Sequence, residues 1–408
     1  MAKNPGEEGS VLDQGAHGMS LTADELGLID AARELGGELV RRSREIDQQR
    51  YLPQDLADRM AKLGFYRLVV PEALGGLGVS PMALCRICET LAAANGSAAW
   101  CVFIGASSQY LFGAAVPSLL EQMLADPDVI TSGVFADSGT VRSEARDGEP
   151  GYLVNGHWRW ASGCHNAAWI SGGIHEVDDA GEPVGREAPL TRVFFQPHEI
   201  DILDNWQVSG LRGTGSSDFV ARDVWVPAER VCTGIEHSRY ADFPIYRFPR
   251  FALLGIPIGA ICLGMARASL AEVLQAAQQK TPQGSRRTLA MRSALHKDVA
   301  VADADLRAAH GLFYRAIGDA WAHARTAAET LEHRRLVRTA NVHAVNAAIR
   351  IIDRMYTVMG GTSVFETSCL QQHFRDVHVA SQHMMVAEPV MELAGRVMLG
   401  LDDSAAGL

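Results

Sequence analysis

The periodicity of the apolar residues changes twice along the chain, and the order of those changes restricts the fold more than any other feature. From Leu21 to about Asp126 the pattern is helical, with Leu26, Ile29, Leu35 and Leu39 at helical spacing. Thr22 followed by Glu25 predicts an N-cap with a capping box. A Pro/Gly-rich break, "VVPEALGGLGVSPM" at 69–82, precedes a helix rich in small residues. From Val129 the texture turns to Gly, Ser, Val and Trp. Tyr152, Val154, Gly156, Trp158 and Trp160 alternate with Leu153, Asn155, His157 and Arg159, which predicts strands ending near "DVWVPAERV". After about Ile235 helical stretches return at 251–279, 293–324, 339–360 and 369–400, each long enough for a bundle helix. Helices, then strands, then helices is not the alternation of a parallel-sheet protein. The chain is predicted to be α+β: a flexible arm over 1–20, an N-terminal helical domain over 21–127, a central β-barrel or sandwich over 128–235, and a C-terminal four-helix bundle over 236–408.

Composition narrows the function classes. The chain has 408 residues, 47% hydrophobic and 21% charged, with a net charge of -11. That charge excludes a general nucleic-acid binder, because no basic field attracts phosphates. The start "MAKNPGEEGS" lacks the apolar core of a signal peptide. The apolar run Phe251–Met265 contains Pro257 and is too short for a bilayer, so it is expected as a buried helix. Seven irregularly spaced cysteines point to a reducing cytoplasm. Cys85 and Cys88 form a CxxC without a second pair, so buried thiols are expected and no metal site.

The stretch "GLRGTGSSDF" from Gly210 looks like a nucleotide loop but lacks the third glycine of the dinucleotide fingerprint. It is followed by Val220, Val224 and Val226 in strand-like alternation, where that fingerprint needs a helix. Its glycines are expected to permit a tight turn and close backbone approach.

Five motifs in order, "VPEALGGLG" (70–78), "NGHWRWASG" (155–163), "DVWVPAERV" (223–231), "MGGTS" (359–363) and "FRDVHVASQH" (374–383), resemble the acyl-CoA dehydrogenase fold family over about residues 20–400. That family abstracts an α-proton with a glutamate at one of two places. Here those places read "ASQHMM", with Gln382 and His383, and "RFPRFALL", with Pro249 and Arg250. Neither offers a carboxylate base. "GSAAWCVF" (96–103), "WRWASG" (158–163), "GLRGTGS" (210–216) and "RDVHVASQH" are instead similar to the branch of two-component flavin-dependent monooxygenases, which includes hydroxylases of hydroxyphenylacetate and of steroid-derived phenols. The alternatives are a dehydrogenase-like desaturase or oxidase with an unusual base, an N-oxygenase of an amino sugar, and a non-catalytic flavin-fold scaffold.

The resemblance implies reduced FMN or FAD and O2 as cofactors, a flavin C4a-hydroperoxide as oxidant, a separate NAD(P)H-flavin reductase as partner, and a homotetramer. The substrate is an aromatic, polycyclic or amine molecule. Ser162 falls where the family sets a hydroxyl against flavin N5, and His383 where an imidazole faces the substrate, which implies removal of a phenol proton or help in delivering the proton of the hydroperoxide oxygen. On a continuous helix Asp376, Ala380 and His383 share one face. Arg375 and Asp376 are expected as a structural pair. Phe135, Trp160 and Trp158 are implied beside the isoalloxazine, Arg286, Arg287 and Arg292 at the flavin phosphate, and Gly360 and Gly361 at a turn approaching the flavin of a neighbouring subunit. Trp100, Ser108, Gln109, Tyr110 and Arg212 are implied around the substrate. Phenol hydroxylases of this branch carry a histidine eight residues after the tryptophan of "SAAW"; here that position is Ser108.

Overall fold

The computed structural model describes residues 21–185, 187, 189–402 and 407–408. The arm expected over 1–20 lies outside the described residues. The chain is α+β and forms two compact units, one of 1–37, 81–96 and 248–408, the other of 38–80 and 97–247.

The helix α1 (Ala23–Gln49) opens with the expected capping box: Thr22 N–H donates to Glu25 Oε2 at 2.8 Å, and Glu25 N–H to Thr22 Oγ1 at 3.2 Å. It is followed by α2 (Gln54–Lys62), α3 (Pro81–Ala92), α4 (Gly96–Gln109) and α5 (Pro117–Leu124). In the first unit, α3 packs with the long C-terminal helices. These follow two short turns of helix, α6 (Pro244–Arg247) and α7 (Arg250–Leu253), and comprise α8 (Ile256–Gln279), α9 (Ser293–Ala324) and α10 (Leu331–Met359). By length and composition the helical stretch Arg250–Gln279, α7 with α8, could cross a membrane, but 83% of its apolar window is buried here. A helix that is apolar all round must be covered on every side, and α3, α9, α10 and α11 (Cys369–Ala380) cover it.

The fourth bundle helix expected over 369–400 is not continuous. It stops at Ala380, passes through a short turn at Met384–Val386, and restarts as α12 (Glu388–Met398). Pro389 sits in the first turn of α12. Its ring and missing N–H exclude it from a helix interior, so a new helix starts just ahead of it.

A buried ionic cluster ties α3, α8 and α9 together. Glu89 is 1% exposed, accepts from Tyr314 Oη at 2.5 Å and pairs with Arg267. His310 lies 3.6 Å and Arg86 3.7 Å from the same carboxylate. Breaking such a pair strands charge in a low-dielectric interior. Glu89→Ala should therefore lower unfolding free energy by about 3–5 kcal/mol in urea titration.

The second unit holds a seven-stranded sheet in the order β5-β6-β2-β1-β3-β4-β7. The strands are β1 (Thr131–Ser143), β2 (Gly151–Ala161), β3 (Trp169–Glu176), β4 (Leu190–Phe195), β5 (Asp201–Ile202), β6 (Ser217–Pro227) and β7 (Val231–Thr233). Only β1 and β3 pair in parallel. The core is organised around Trp158, which is fully buried, stacks on Phe219 at 4.8 Å and meets Phe195 edge-on. Its indole N–H donates to Gly173 O at 2.8 Å. A Cβ at Gly139, Gly156 or Gly172 would collide with the indole, so these glycines on β1, β2 and β3 form the slot that admits it. Trp158 therefore belongs to the core and does not wall a flavin, contrary to the expectation from its motif.

Gly172→Ala should cost about 1–3 kcal/mol by overpacking. Combining it with Trp158→Phe should recover part of that loss, because a smaller ring leaves room for the methyl group. Urea unfolding of the two single variants and the double variant measures this.

Candidate active site

Two residues after Trp158, the strand alternation breaks. Trp160 has φ +67 and is 66% exposed, and the pairing of β2 with β6 shifts register between Trp158 and Ala161. Positive φ is costly for a bulky residue and survives only when its surroundings enforce it. Asp218 enforces it here: its carboxylate accepts from Trp160 N–H at 3.2 Å and bonds His157 Nε2 at 2.8 Å. The bulge turns the Trp160 ring out of the core, and the chain then turns sharply through Gly163.

Ser162, at this turn, is 4% exposed and lies in a set of buried hydroxyls. Trp100 Nε1, from α4, donates to Ser162 Oγ at 3.1 Å. Ser162 Oγ and Ser216 Oγ are 2.6 Å apart, and Ser216 Oγ and Thr214 Oγ1 2.7 Å apart. Thr214 Oγ1 donates to Leu211 O at 2.8 Å, and Ser132 Oγ to Ser162 O at 2.7 Å. Gly163 N–H donates to Thr214 O at 2.8 Å, which locks the two turns together.

"GLRGTGS" is thus a tight turn against Ser162. Leu211 and Gly215 have positive φ, and a Cβ at Gly213 would collide with Ile46. Thr214 and Ser216 supply its two hydroxyls. The sign of their role is the alternation Thr-x-Ser, which puts both hydroxyls on one side of the turn. Arg212, implied at the substrate, is engaged with Asp47 through its Nε, which donates to the Asp47 carbonyl at 3.2 Å and lies 3.7 Å from the carboxylate.

On α4, Trp100 and Ser108 are two helical turns apart and share a face. Ser108 is 2% exposed, and its Oγ has no hydrogen-bond partner among the described residues. Gln109 is committed elsewhere, its Nε2 donating to Val129 O at 2.7 Å. Tyr110 packs edge-on against Tyr246 at 4.8 Å. Ser108 thus presents an uncommitted buried hydroxyl. Phe135 lies where β1 slips register against β3, with the Arg192 guanidinium 4.5 Å over its ring.

The remaining candidates lie in the first unit. His383 is outside α11, so the shared helical face with Asp376 and Ala380 does not exist. It caps the short turn that follows, Nδ1 accepting from Met385 N–H at 3.2 Å. That bond leaves Nε2 as the protonated nitrogen of the neutral ring, able to donate. Burial and the nearby Arg338 guanidinium push its pKa down to about 4. At neutral pH His383 is therefore a hydrogen-bond donor through Nε2, and removal of a phenol proton by that nitrogen is not available to it. Arg286, Arg287 and Arg292 are exposed on and beside the loop after α8. Arg286 and Arg287 have no ion-pair partner among the described residues. Gly360 has φ +57, and a Cβ at Gly360 or Gly361 would meet nothing, so packing within the chain does not require glycine at 361.

His373 is fully buried, bonds Ser269 Oγ at 2.9 Å, and burial also pushes it down to about 4. Unfolded histidine binds its proton near pH 6.5. The stability that depends on neutral His373 and His383 is complete above pH 6.5 and is lost as pH falls toward 4. For His373 that span corresponds to roughly 3 kcal/mol. His373→Asn should flatten the dependence of the urea midpoint on pH between 4 and 6.5.

The profile described as "Acyl-CoA dehydrogenase, N-terminal domain" matches residues 22–115, and "Acyl-CoA dehydrogenase, C-terminal domain" matches residues 256–388. The chain is similar to indole-3-acetate monooxygenase of Pseudomonas putida, 30% identical, covering 87% of this chain and 89% of that one. It is similar to the flavin-dependent monooxygenase oxygenase subunit HsaA of Rhodococcus jostii, 29% identical, covering 85% and 91%. Among solved structures it is similar to XiaF from a Streptomyces species in complex with FADH2 and glycerol. That match has a TM-score of 0.84 and 25% identity, and covers 93% of this chain and 96% of that one.

Proposed function

The chain belongs to the oxygenase components of flavin-dependent monooxygenases built on the acyl-CoA dehydrogenase fold, and from that membership we propose as the substrate it hydroxylates an indole-like aromatic, which meets Ser108 through a neutral ring N–H rather than a phenolate. The enzyme is a reduced-flavin-dependent monooxygenase. When bound, the reduced flavin supplies the electrons that activate O2.

The observation that carries the substrate reading is Ser108. A buried hydroxyl with no partner among the described residues stands where the phenol hydroxylases resembled here carry a histidine. An imidazole favours a phenolate; a serine hydroxyl favours a neutral group and can accept from a ring N–H. Leaving it unmatched in the bound state has a desolvation cost, which disfavours a substrate without a polar atom at that place. Similarity to the Pseudomonas putida indole-3-acetate monooxygenase supports the same class.

Several residues fit a flavin. Trp160 presents an exposed ring at an enforced bulge, and Ser162 a polar atom at a nearly buried one. Arg286 and Arg287 are free cations for a phosphate. The site closes off water through Trp100 and the surrounding buried hydroxyls, which suits chemistry that water would quench. We take reduced FAD as the preferred flavin, supported by likeness to XiaF with FADH2. A separate flavin reductase and a cytoplasmic homo-oligomer complete the reading. The oligomer is supported by the exposed apolar side chains Val364, Phe365, Met398 and Leu399, and by the open glycines 360 and 361.

The test supplies reduced flavin from a generic NADH-flavin reductase under 18O2. Indole-3-acetate or a related indole should gain one labelled oxygen atom, and p-hydroxyphenylacetate should turn over at least tenfold more slowly. Ser108→Ala should reduce kcat/KM for the indole by about tenfold, the loss of one hydrogen bond. Equal turnover of the phenol, or an unaffected Ser108→Ala, overturns the substrate reading.

A further inference from the structure

We propose that Thr214 and Ser216 act as positioning residues that set the direction of the Ser162 hydroxyl, making it an acceptor that selects the reduced over the oxidised flavin. The inference rests on the reading that Ser162 meets flavin N5.

The direction follows from counting protons. Thr214 has one hydroxyl proton, and the bond to the Leu211 carbonyl requires it, because a carbonyl only accepts. The proton in the Thr214–Ser216 bond must then come from Ser216. With that proton committed, the proton in the 2.6 Å Ser162–Ser216 bond must come from Ser162. The Trp100 indole N–H only donates, so Ser162 also accepts from it. Ser162 has therefore given its single proton away and filled one lone pair. What remains is one lone pair, and a group meeting it must bring a hydrogen.

N5 of reduced flavin carries a hydrogen; N5 of oxidised flavin is an acceptor only. The carbonyl of Leu211 thus fixes, through two hydroxyls, a mismatch against the oxidised form. All three hydroxyl residues are buried: Thr214 is 1%, Ser216 3% and Ser162 4% exposed, so water does not readily substitute for a missing member. The turn that carries them is held by Gly213 packed on Ile46 and by the Gly163–Thr214 backbone bond, which keeps the oxygens in register.

If Ser216 is removed, the Ser162 proton loses its acceptor and can turn toward N5, where it suits the oxidised flavin. If the Thr214 hydroxyl is removed, Ser216 is released to donate to Ser162, with the same outcome.

The experiment measures anaerobic dissociation constants of oxidised and dithionite-reduced FAD, and of the FMN pair, for the full-length protein. Ser162→Ala should narrow the preference for reduced flavin by about tenfold, the scale of one hydrogen bond. Ser216→Ala and Thr214→Val should each narrow it by at least as much, and the midpoint potential of the bound flavin should fall by about 30 mV per tenfold. Thr214→Ser keeps the hydroxyl and should restore the wild-type ratio. In a Ser162→Ala background, Ser216→Ala should have no further effect on the ratio. If Ser162→Ala shifts the ratio while Ser216→Ala and Thr214→Val do not, the relay is overturned and the flavin reading stands. If Ser162→Ala leaves the ratio unchanged, Ser162 does not meet N5, and both fall. Should Ser216→Ala fail to fold, Thr214→Val with its Thr214→Ser rescue decides the matter.

Discussion

The indole of Trp158 lies in a slot that three strands leave open for it, and the geometry of the second unit depends on that fit. Glycines at 139, 156 and 172 remove side chains from β1, β2 and β3 around the ring, which fills the space between Phe195 and Phe219. A close-packed interior tolerates neither an extra methyl group nor a void at such a point. β2 is thereby pinned in register at residue 158. The bulge that follows is free to redirect the chain without loosening the core.

That redirection produces the site. In a regular strand Trp158 and Trp160 would point the same way. Asp218 holds Trp160 itself at positive φ, so this second tryptophan emerges from the sheet and Ser162 arrives beside Trp100 and the glycine turn. The turn then contributes more than shape. Its backbone carbonyl at 211 is the fixed end of a line of hydroxyls, and a carbonyl cannot reverse its role. A neutral, buried arrangement can in this way impose a direction on a hydrogen bond without any charged group.

Much of the architecture was legible in the amino-acid order. The capping box at Thr22 and Glu25, the switch from helical to alternating periodicity near Val129, and the return to helix all depend on local patterns, which local physics reads directly. The last helix was misread because an apolar rhythm continues through 381–387 while Pro389 forces a restart, so His383 became a turn residue with a fixed tautomer. Of the candidate site, Ser162 and Ser108 are named by resemblance. The engagement of Arg212 with Asp47 and of Gln109 with Val129 is not, because each partner is distant in sequence.

The sequence by itself determined the class of fold, the absence of a carboxylate at either place where the related dehydrogenases carry their base, and the serine at 108. These are matters of residue identity and local period. Only the tertiary structure decided which tryptophan is core and which is exposed, whether His383 accepts or donates, and which way the Ser162 proton points. Each of those depends on a partner brought from elsewhere in the chain: three glycines on neighbouring strands, the Arg338 charge and a backbone N–H, and a carbonyl two hydroxyls away. Periodicity records which side of an element a residue occupies; it carries no information about what another element places opposite it.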